Sequence, residues 1–300
     1  MTETEFSCRI ASVGRRGVTI LLNDGCEVPA RVAGRVYHDL QPVAGDRARA
    51  METSDLPMIT AILPRDSVLQ RSTGEGSARI IAANIQYVLV VCSLKRPAFS
   101  HGFLSRVLVA SCWKGLPAVI VINKTDLCSG PGDYGDLIRT YGKEGAGYRI
   151  FPVSCFSGEG MEDLLDFISG STVVMTGPSG VGKTSIARVW NPSLGARVGE
   201  LNPKTGKGRH TTVSASLIPM DGSTCLIDTP GIKIFTIDHV PRKEIAPCFP
   251  EFEPYLGNCR FRDCLHLSEP GCAVKSAVKR GDISEFRYEG YCELMDASSS

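Results

Sequence analysis

Long hydrophobic runs are missing from this sequence. Its longest apolar stretches, such as Tyr87–Cys92 and Ala118–Ile122, fall far short of the roughly 18 residues that a membrane-crossing helix needs, so no membrane partner is expected. No secretion signal is expected either. The opening Met-Thr-Glu-Thr-Glu-Phe is acidic and has neither the basic nor the apolar region of such a leader. Net charge is almost absent, with 33 basic side chains against 32 acidic ones and a balance of +1. No global basic field exists, and any nucleic acid must be met by local patches. What remains is a 300-residue chain of ordinary globular composition, 43% apolar and 22% charged. Such a chain has room for about two domains and is expected to be cytoplasmic.

Cysteine, by contrast, is plentiful, with 12 in the chain. Cytoplasmic thiols stay reduced, which argues against a disulfide framework. Cys92, Cys112 and Cys225 lie in apolar strand-like or helix-like runs and read as buried core thiols. Cys259, Cys264 and Cys272 instead crowd together with His266. The run Cys259-x4-Cys264-x-His266-x5-Cys272 offers three thiolates and an imidazole with no open position, a donor set suited to one structural Zn²⁺ per chain. Cys248 is the alternative fourth ligand. The C-terminal domain that holds this run has too few apolar residues for a good core of its own, so metal binding is expected to supply much of its folding energy.

Three regions differ in rhythm. Residues 1–69 contain short alternating runs, Arg9–Val13, Gly17–Leu22, Cys26–Val32, Asp46–Ala50 and Met58–Leu63, with Asn23-Asp24-Gly25 as a hairpin signal. Five such strands suggest a small β-barrel of the oligonucleotide-binding (OB-fold) type, with Arg15, Arg16, Arg31, Arg35, Arg47 and Arg49 available for a basic face. Residues 70–235 alternate buried strands (87–92, 118–122, 149–153, 172–176) with helix-like stretches (102–113, 133–141, 161–168). That rhythm implies a parallel α/β sheet with ligand at the strands' carboxyl ends. Residues 236–300 are proline-rich, then cysteine-rich, then helical from Ala273, and form a small third domain around the metal.

Gly177-Pro178-Ser179-Gly180-Val181-Gly182-Lys183-Thr184 follows the strand-like Thr172–Thr176 and opens a helix, which is the context of a phosphate-binding loop. Its glycines let backbone N–H groups close around phosphates at a helix N-terminus. Lys183 is placed for the β- and γ-phosphates and Thr184 for Mg²⁺. Asn123-Lys124-Thr125-Asp126 follows the buried strand Ala118–Ile122. A carboxylate at Asp126 can accept from both guanine N1–H and the exocyclic amine, a donor pair that adenine lacks. Asn123 supports the loop, and the Lys124 stem lies along the ring. Ser154-Cys155, after Arg149–Val153, fits the loop whose backbone N–H meets guanine O6. Asp228-Thr229-Pro230-Gly231 follows Thr224–Ile227. Asp228 is placed for Mg²⁺ through water, and Gly231 N–H for the γ-phosphate, as a switch. The guanine motifs precede the phosphate loop, the reverse of the usual GTPase order, so the sheet is circularly permuted.

With these residues in view, the chain resembles the RsgA/YjeQ family of circularly permuted GTPases. The likeness takes in Val43–Arg47, Ile62–Arg65, Ala82–Asn84, Asn123–Asp126, Gly177 through Ser185, Gly208-Arg209-His210-Thr211-Thr212, Asp228–Gly231 and Cys259–Val274. It implies an OB barrel, a permuted P-loop GTPase and a zinc domain. It further implies GTP hydrolysis stimulated by the small ribosomal subunit during late maturation, with ribosomal RNA as partner. A free monomer is the default. Val213 stands where a third threonine is expected, which leaves open whether Thr211 or Thr212 meets Mg²⁺. Ras-like GTPases orient water with a glutamine after Asp-x-x-Gly, but Ile232 occupies that position here. His210, in a glycine-rich segment before the threonines, is the candidate catalytic group because a neutral imidazole can orient water. Two readings compete: a GTP-switched RNA-binding module with incidental turnover, and a metabolic P-loop kinase, which the guanine loop argues against.

Overall fold

The computed structural model describes residues 4–14, 17–72, 78–192, 194, 215–229, 235–237 and 240–297. In chain order its elements begin with β1 (Glu5–Gly14), β2 (Gly17–Leu21), β3 (Glu27–Val32), α1 (Gly34–Asp39), β4 (Arg47–Met51), β5 (Met58–Ile62), β6 (Val68–Ser72) and β7 (Ala78–Ala83). An alternating stretch follows: β8 (Tyr87–Cys92), α2 (His101–Trp113), β9 (Ala118–Ile122), α3 (Gly132–Tyr141), β10 (Arg149–Pro152), α4 (Met161–Ile168), β11 (Thr172–Thr176) and α5 (Lys183–Trp190). After β12 (Ser216–Asp221) and β13 (Thr224–Asp228) come 3₁₀ turns at Arg242–Glu244, Ala246–Cys248 and Pro250–Tyr255, then α6 (Ala273–Arg280) and α7 (Glu285–Ala297). Among the described residues no helix is long and apolar enough to cross a membrane.

The chain forms two compact units. The first comprises Met1–Val88, Leu165–Met175 and Lys183–Ile234. Within it β1 pairs with β2, β2 with β3, β3 with β5, β5 with β4, and β4 again with β1, so the pairings close a ring. Every second residue faces inward, as a strand's period of two requires. Cys8 and Ile10, Val18 and Ile20, and Ala48 and Ala50 meet Ala30 and Ile59 in one core. All five strands expected from the alternation between Arg9 and Leu63 are present. In the same unit β11 runs parallel to β13 in the register Thr172↔Cys225, Val173↔Leu226, Val174↔Ile227.

Three motifs that carried the family resemblance converge beside the ring. Asp46, fully buried, receives a two-pronged ion pair from Arg65, Nε to Oδ1 at 2.7 Å and Nη2 to Oδ2 at 2.8 Å. Asn84 donates from Nδ2 to the Gly45 carbonyl at 3.0 Å, and its Oδ1 accepts the Asp66 N–H at 3.0 Å. Gly45 has φ +88°, and a Cβ there would stand 2.2 Å from the Ala83 carbonyl oxygen, so only glycine fits.

The second unit comprises Leu89–Leu164, Thr176–Gly182 and Phe235–Ser300. Its strands β9 and β10 pair in parallel from Val119↔Arg149 to Ile122↔Pro152. α2 buries Leu104, Val107 and Leu108, and α7 packs along it. Closeness is set by Gly290, where a Cβ would lie 2.8 Å from Ser105 Oγ. Arg287, one turn earlier on α7, is fully buried. It pairs with Glu251 at 2.5 Å, donates to Ser105 Oγ at 3.3 Å, and lies over the Tyr141 and Phe249 rings.

Candidate functional site

Parallel strands end together, so the loops that follow them collect at one edge. In the second unit this gathers three loops around Asn123, whose residue is 2% exposed. Its backbone N–H reaches the Cys92 carbonyl at the end of β8, 2.8 Å away. Its side-chain Nδ2 donates to the Val181 carbonyl of the phosphate loop at 2.8 Å, and its Oδ1 accepts the Cys155 N–H at 3.3 Å. One amide therefore ties the guanine loop to both the phosphate loop and the Ser154-Cys155 loop.

The neighbouring residues complete the frame. Lys124 sits in the left-handed region at φ +69°, and its Nζ donates to the carbonyls of Gly180, at 2.6 Å, and Arg96. Thr125 opens a 3₁₀ turn, and its N–H reaches the Val153 carbonyl at 3.2 Å. Asp126 Oδ1 accepts from Ser154 Oγ at 2.6 Å. Ser154 is fully buried, and its Oγ also accepts the N–H groups of Phe156 and Ser157. Cys155 is half-buried, and burial pushes its thiol up to about 11, leaving it protonated and neutral beside Asp126.

The phosphate loop leaves β11 at Gly177. Its φ is +156°, and a Cβ would stand 2.2 Å from the Val91 carbonyl oxygen, so the loop's first position excludes a side chain. Pro178 is half-buried, Ser179 and Gly180 are exposed, and Val181 and Gly182 turn back toward the core. In the first unit, Lys183 opens α5, with Thr184 next and Ser185 exposed. Burial lowers the Lys183 pKa because its ammonium has lost water. Asp228 closes β13, half-buried, on the strand beside β11. His210, Thr211, Thr212 and Gly231 lie outside the described residues.

A second cluster forms in the cysteine-rich segment of the second unit. Ligand atoms of Cys259, Cys264, His266 and Cys272 lie within 4.8 Å of one another. His266 Nδ1 is 3.4 Å from the sulfurs of both Cys259 and Cys272, so Nδ1 is the nitrogen that faces the thiols. Backbone N–H groups point at the sulfurs: His266 to Cys264, Ala273 to Cys259 and Lys275 to Cys272. Such donors stabilise thiolates. α7 supports the loop through two phenols, Tyr288 Oη to the His266 carbonyl at 2.7 Å and Tyr291 Oη to the Leu265 carbonyl at 2.6 Å. Three thiols and an imidazole around one point fit a tetrahedral soft metal. Cys248 is not part of this cluster; it is buried and interacts with Cys112 on α2, which is exposed and not the buried core thiol expected from the sequence.

Two functional features escape sequence inspection. Ser154 acts through its side chain on Asp126, although the motif suggested only a backbone contact. Tyr288 and Tyr291 carry no motif, and only their spacing of three on a helix sets them on one face.

A family model described as RsgA GTPase matches residues 62–238. The protein named small ribosomal subunit biogenesis GTPase RsgA from Gemmatimonas aurantiaca is 40% identical over 286 residues, covering 92% of each chain. Its namesake from Chromohalobacter salexigens is 40% identical over 240 residues, covering 80% of this chain and 70% of that one. Among solved structures, YjeQ from Thermotoga maritima superposes with a TM-score of 0.79 at 28% identity, covering 99% of both chains. YloQ, described as a circularly permuted GTPase, superposes at 0.75 over 99% of this chain and 96% of that one, with 24% identity.

Proposed function

Because the chain belongs to the RsgA GTPase family, we propose that it is a GTPase of small-ribosomal-subunit biogenesis. It hydrolyses GTP to GDP and phosphate while bound to the maturing subunit and its ribosomal RNA. The observation that carries the nucleotide assignment is Asn123, whose amide joins the guanine loop to the phosphate loop. Asp126, oriented by Ser154, reads the guanine edge. Asn123, Lys124, Thr125 and the Ser154-Cys155 backbone frame the base, and residues Gly177–Ser185 wrap the phosphates, with Lys183 on the β- and γ-oxygens.

Thr184, Asp228 and either Thr211 or Thr212 are hard oxygen donors suited to Mg²⁺, which when bound neutralises charge on the phosphate oxygens. His210 orients the attacking water, and Gly231 reads the γ-phosphate. Cys259, Cys264, His266 and Cys272 hold one structural zinc, supported by the convergence of their donors. The division of labour is an OB barrel at 1–69, supported by the closed ring of pairings, the permuted GTPase at 70–235 and the zinc domain at 236–300. The free protein is a cytoplasmic monomer. GTP turnover measured with and without small subunits tests the proposal: marked stimulation is expected. Turnover that small subunits leave unchanged would favour the switched RNA-binding module.

A further inference from the structure

The first compact unit holds a half-open cavity of about 270 Å³ that shares no residue with the phosphate loop. Its lining includes Arg9, Arg47, Asn23, Thr172, Ser223 and Leu22, and it contains no carboxylate. In the antiparallel pair of β1 and β4, Arg9 stands directly opposite Arg47. Like charges facing each other in this way repel, so the arrangement carries a cost that something else must offset.

Protein groups offset only part of it, because a carboxylate pairs with Arg47 but none pairs with Arg9 among the described residues. Arg9 Nη2 donates to a neutral acceptor, Thr172 Oγ1, at 2.7 Å. Arg47 Nη2 reaches the Pro64 carbonyl at 2.9 Å and the exposed Asp66 carboxylate at 3.0 Å. The Nε–H of both guanidinium groups is buried and has no acceptor among the described residues. A buried donor left unsatisfied is costly, and more so when charged. Burial pushes the Arg9 pKa down, the neighbouring Cys225 thiol partly opposes this, and the Arg47 charge adds a smaller downward push. Paired guanidinium groups beside a carboxylate-free cavity suit a planar or tetrahedral oxyanion, which accepts several N–H bonds at once.

We propose that this cavity binds a small phosphate-bearing anion between Arg9 and Arg47, either inorganic phosphate or a phosphorylated small molecule. The neutral groups Asn23 and Ser223 border the anion, and the Leu22 wall leaves room for an organic moiety. The test uses the full chain saturated with Mg²⁺ and GDP, which fill the phosphate loop. Thermal unfolding is followed while inorganic phosphate, or in a second arm adenosine monophosphate, is titrated against chloride at matched ionic strength. A rise in midpoint in either arm is expected, with apparent affinity at least tenfold weaker in Arg9→Gln. Ser223→Glu, which puts a carboxylate at the exposed rim, reads the same loss if Arg9→Gln does not fold. No rise above the chloride control in both arms, or an undiminished response in Ser223→Glu and Arg9→Gln, overturns the site.

Discussion

Replacing Asn123 by alanine is the sharpest probe of the nucleotide frame. The substitution removes the donor to the Val181 carbonyl at 2.8 Å and the acceptor of the Cys155 N–H at 3.3 Å, at a position 2% exposed. Each buried group left without a partner costs about 1–3 kcal/mol. The longer bond to Cys155 is the weaker, which sets the combined loss at about 2–3 kcal/mol. The free protein escapes much of this by letting the loops part and take up water. The nucleotide-bound protein cannot, because guanine and phosphates require both loops in place. The penalty therefore falls on binding. At about 1.4 kcal/mol per decade, affinity for GTP and GDP drops roughly thirty- to a hundred-and-fifty-fold. Equilibrium titration with a fluorescent GDP analogue at fixed Mg²⁺ reads the loss. Asn123→Asp, which keeps an acceptor for Cys155 but sets an oxygen against the Val181 carbonyl, should bind no better than the alanine variant. Affinity within threefold of wild type in Asn123→Ala would show that the amide does not hold the loops together.

Other substitutions address the remaining parts. Asp126→Asn should weaken GTP and admit xanthine nucleotides in a competition assay; equal competition by ATP against the native protein would undo the guanine assignment. Cys264→Ser should lower bound zinc well below one per chain by metal analysis and loosen the loop held by Tyr288 and Tyr291, and undiminished zinc would count against the ligand set. His210→Ala should cut subunit-stimulated turnover on the order of a hundredfold with GTP affinity little changed, and equal turnover at saturating GTP and subunit would remove the histidine from catalysis. Arg287→Ala leaves Glu251 buried and alone, so denaturant unfolding should register a loss of about 3–5 kcal/mol. Arg287→Met combined with Glu251→Leu should recover most of it, and a single-variant loss below about 1 kcal/mol would mean the pair is dispensable.

Strands that are buried on both faces announce themselves. Tyr87–Cys92 and Ala118–Ile122 are unbroken apolar runs and Thr172–Thr176 has an apolar centre between two threonines, and the structure places β8, β9 and β11 on those same residues. The nucleotide motifs were legible for a related reason, since each follows such a strand. β12 was not legible: Pro219 interrupts its pattern, and the ladder with β13 shifts register just there, between Pro219 and Asp221. The hairpin of β6 and β7 escaped because Gln70 and Arg71 break its apolar pattern. Side-chain roles were hidden more deeply. That Ser154 steers a carboxylate 28 residues away, or that Cys248 meets Cys112 and not the metal cluster, depends on tertiary contacts that no local pattern encodes.

The glycine at position 290 has a consequence for how this protein can be taken apart. With only a hydrogen at that point, α7 lies flush on α2, and its Arg287 reaches Ser105 through the contact. The apolar flank of α2 thus has the chain's own tail as its cover. A truncation that stops near residue 235 removes that lid along with the Cys259–Cys272 loop and bares Ser105 and the surface around it to water. Dissection into a freestanding catalytic half and a detachable cysteine-rich tail therefore has no clean plane of cleavage. The tail is part of the enzyme's interior, and its loss is inherited by the helix it shelters.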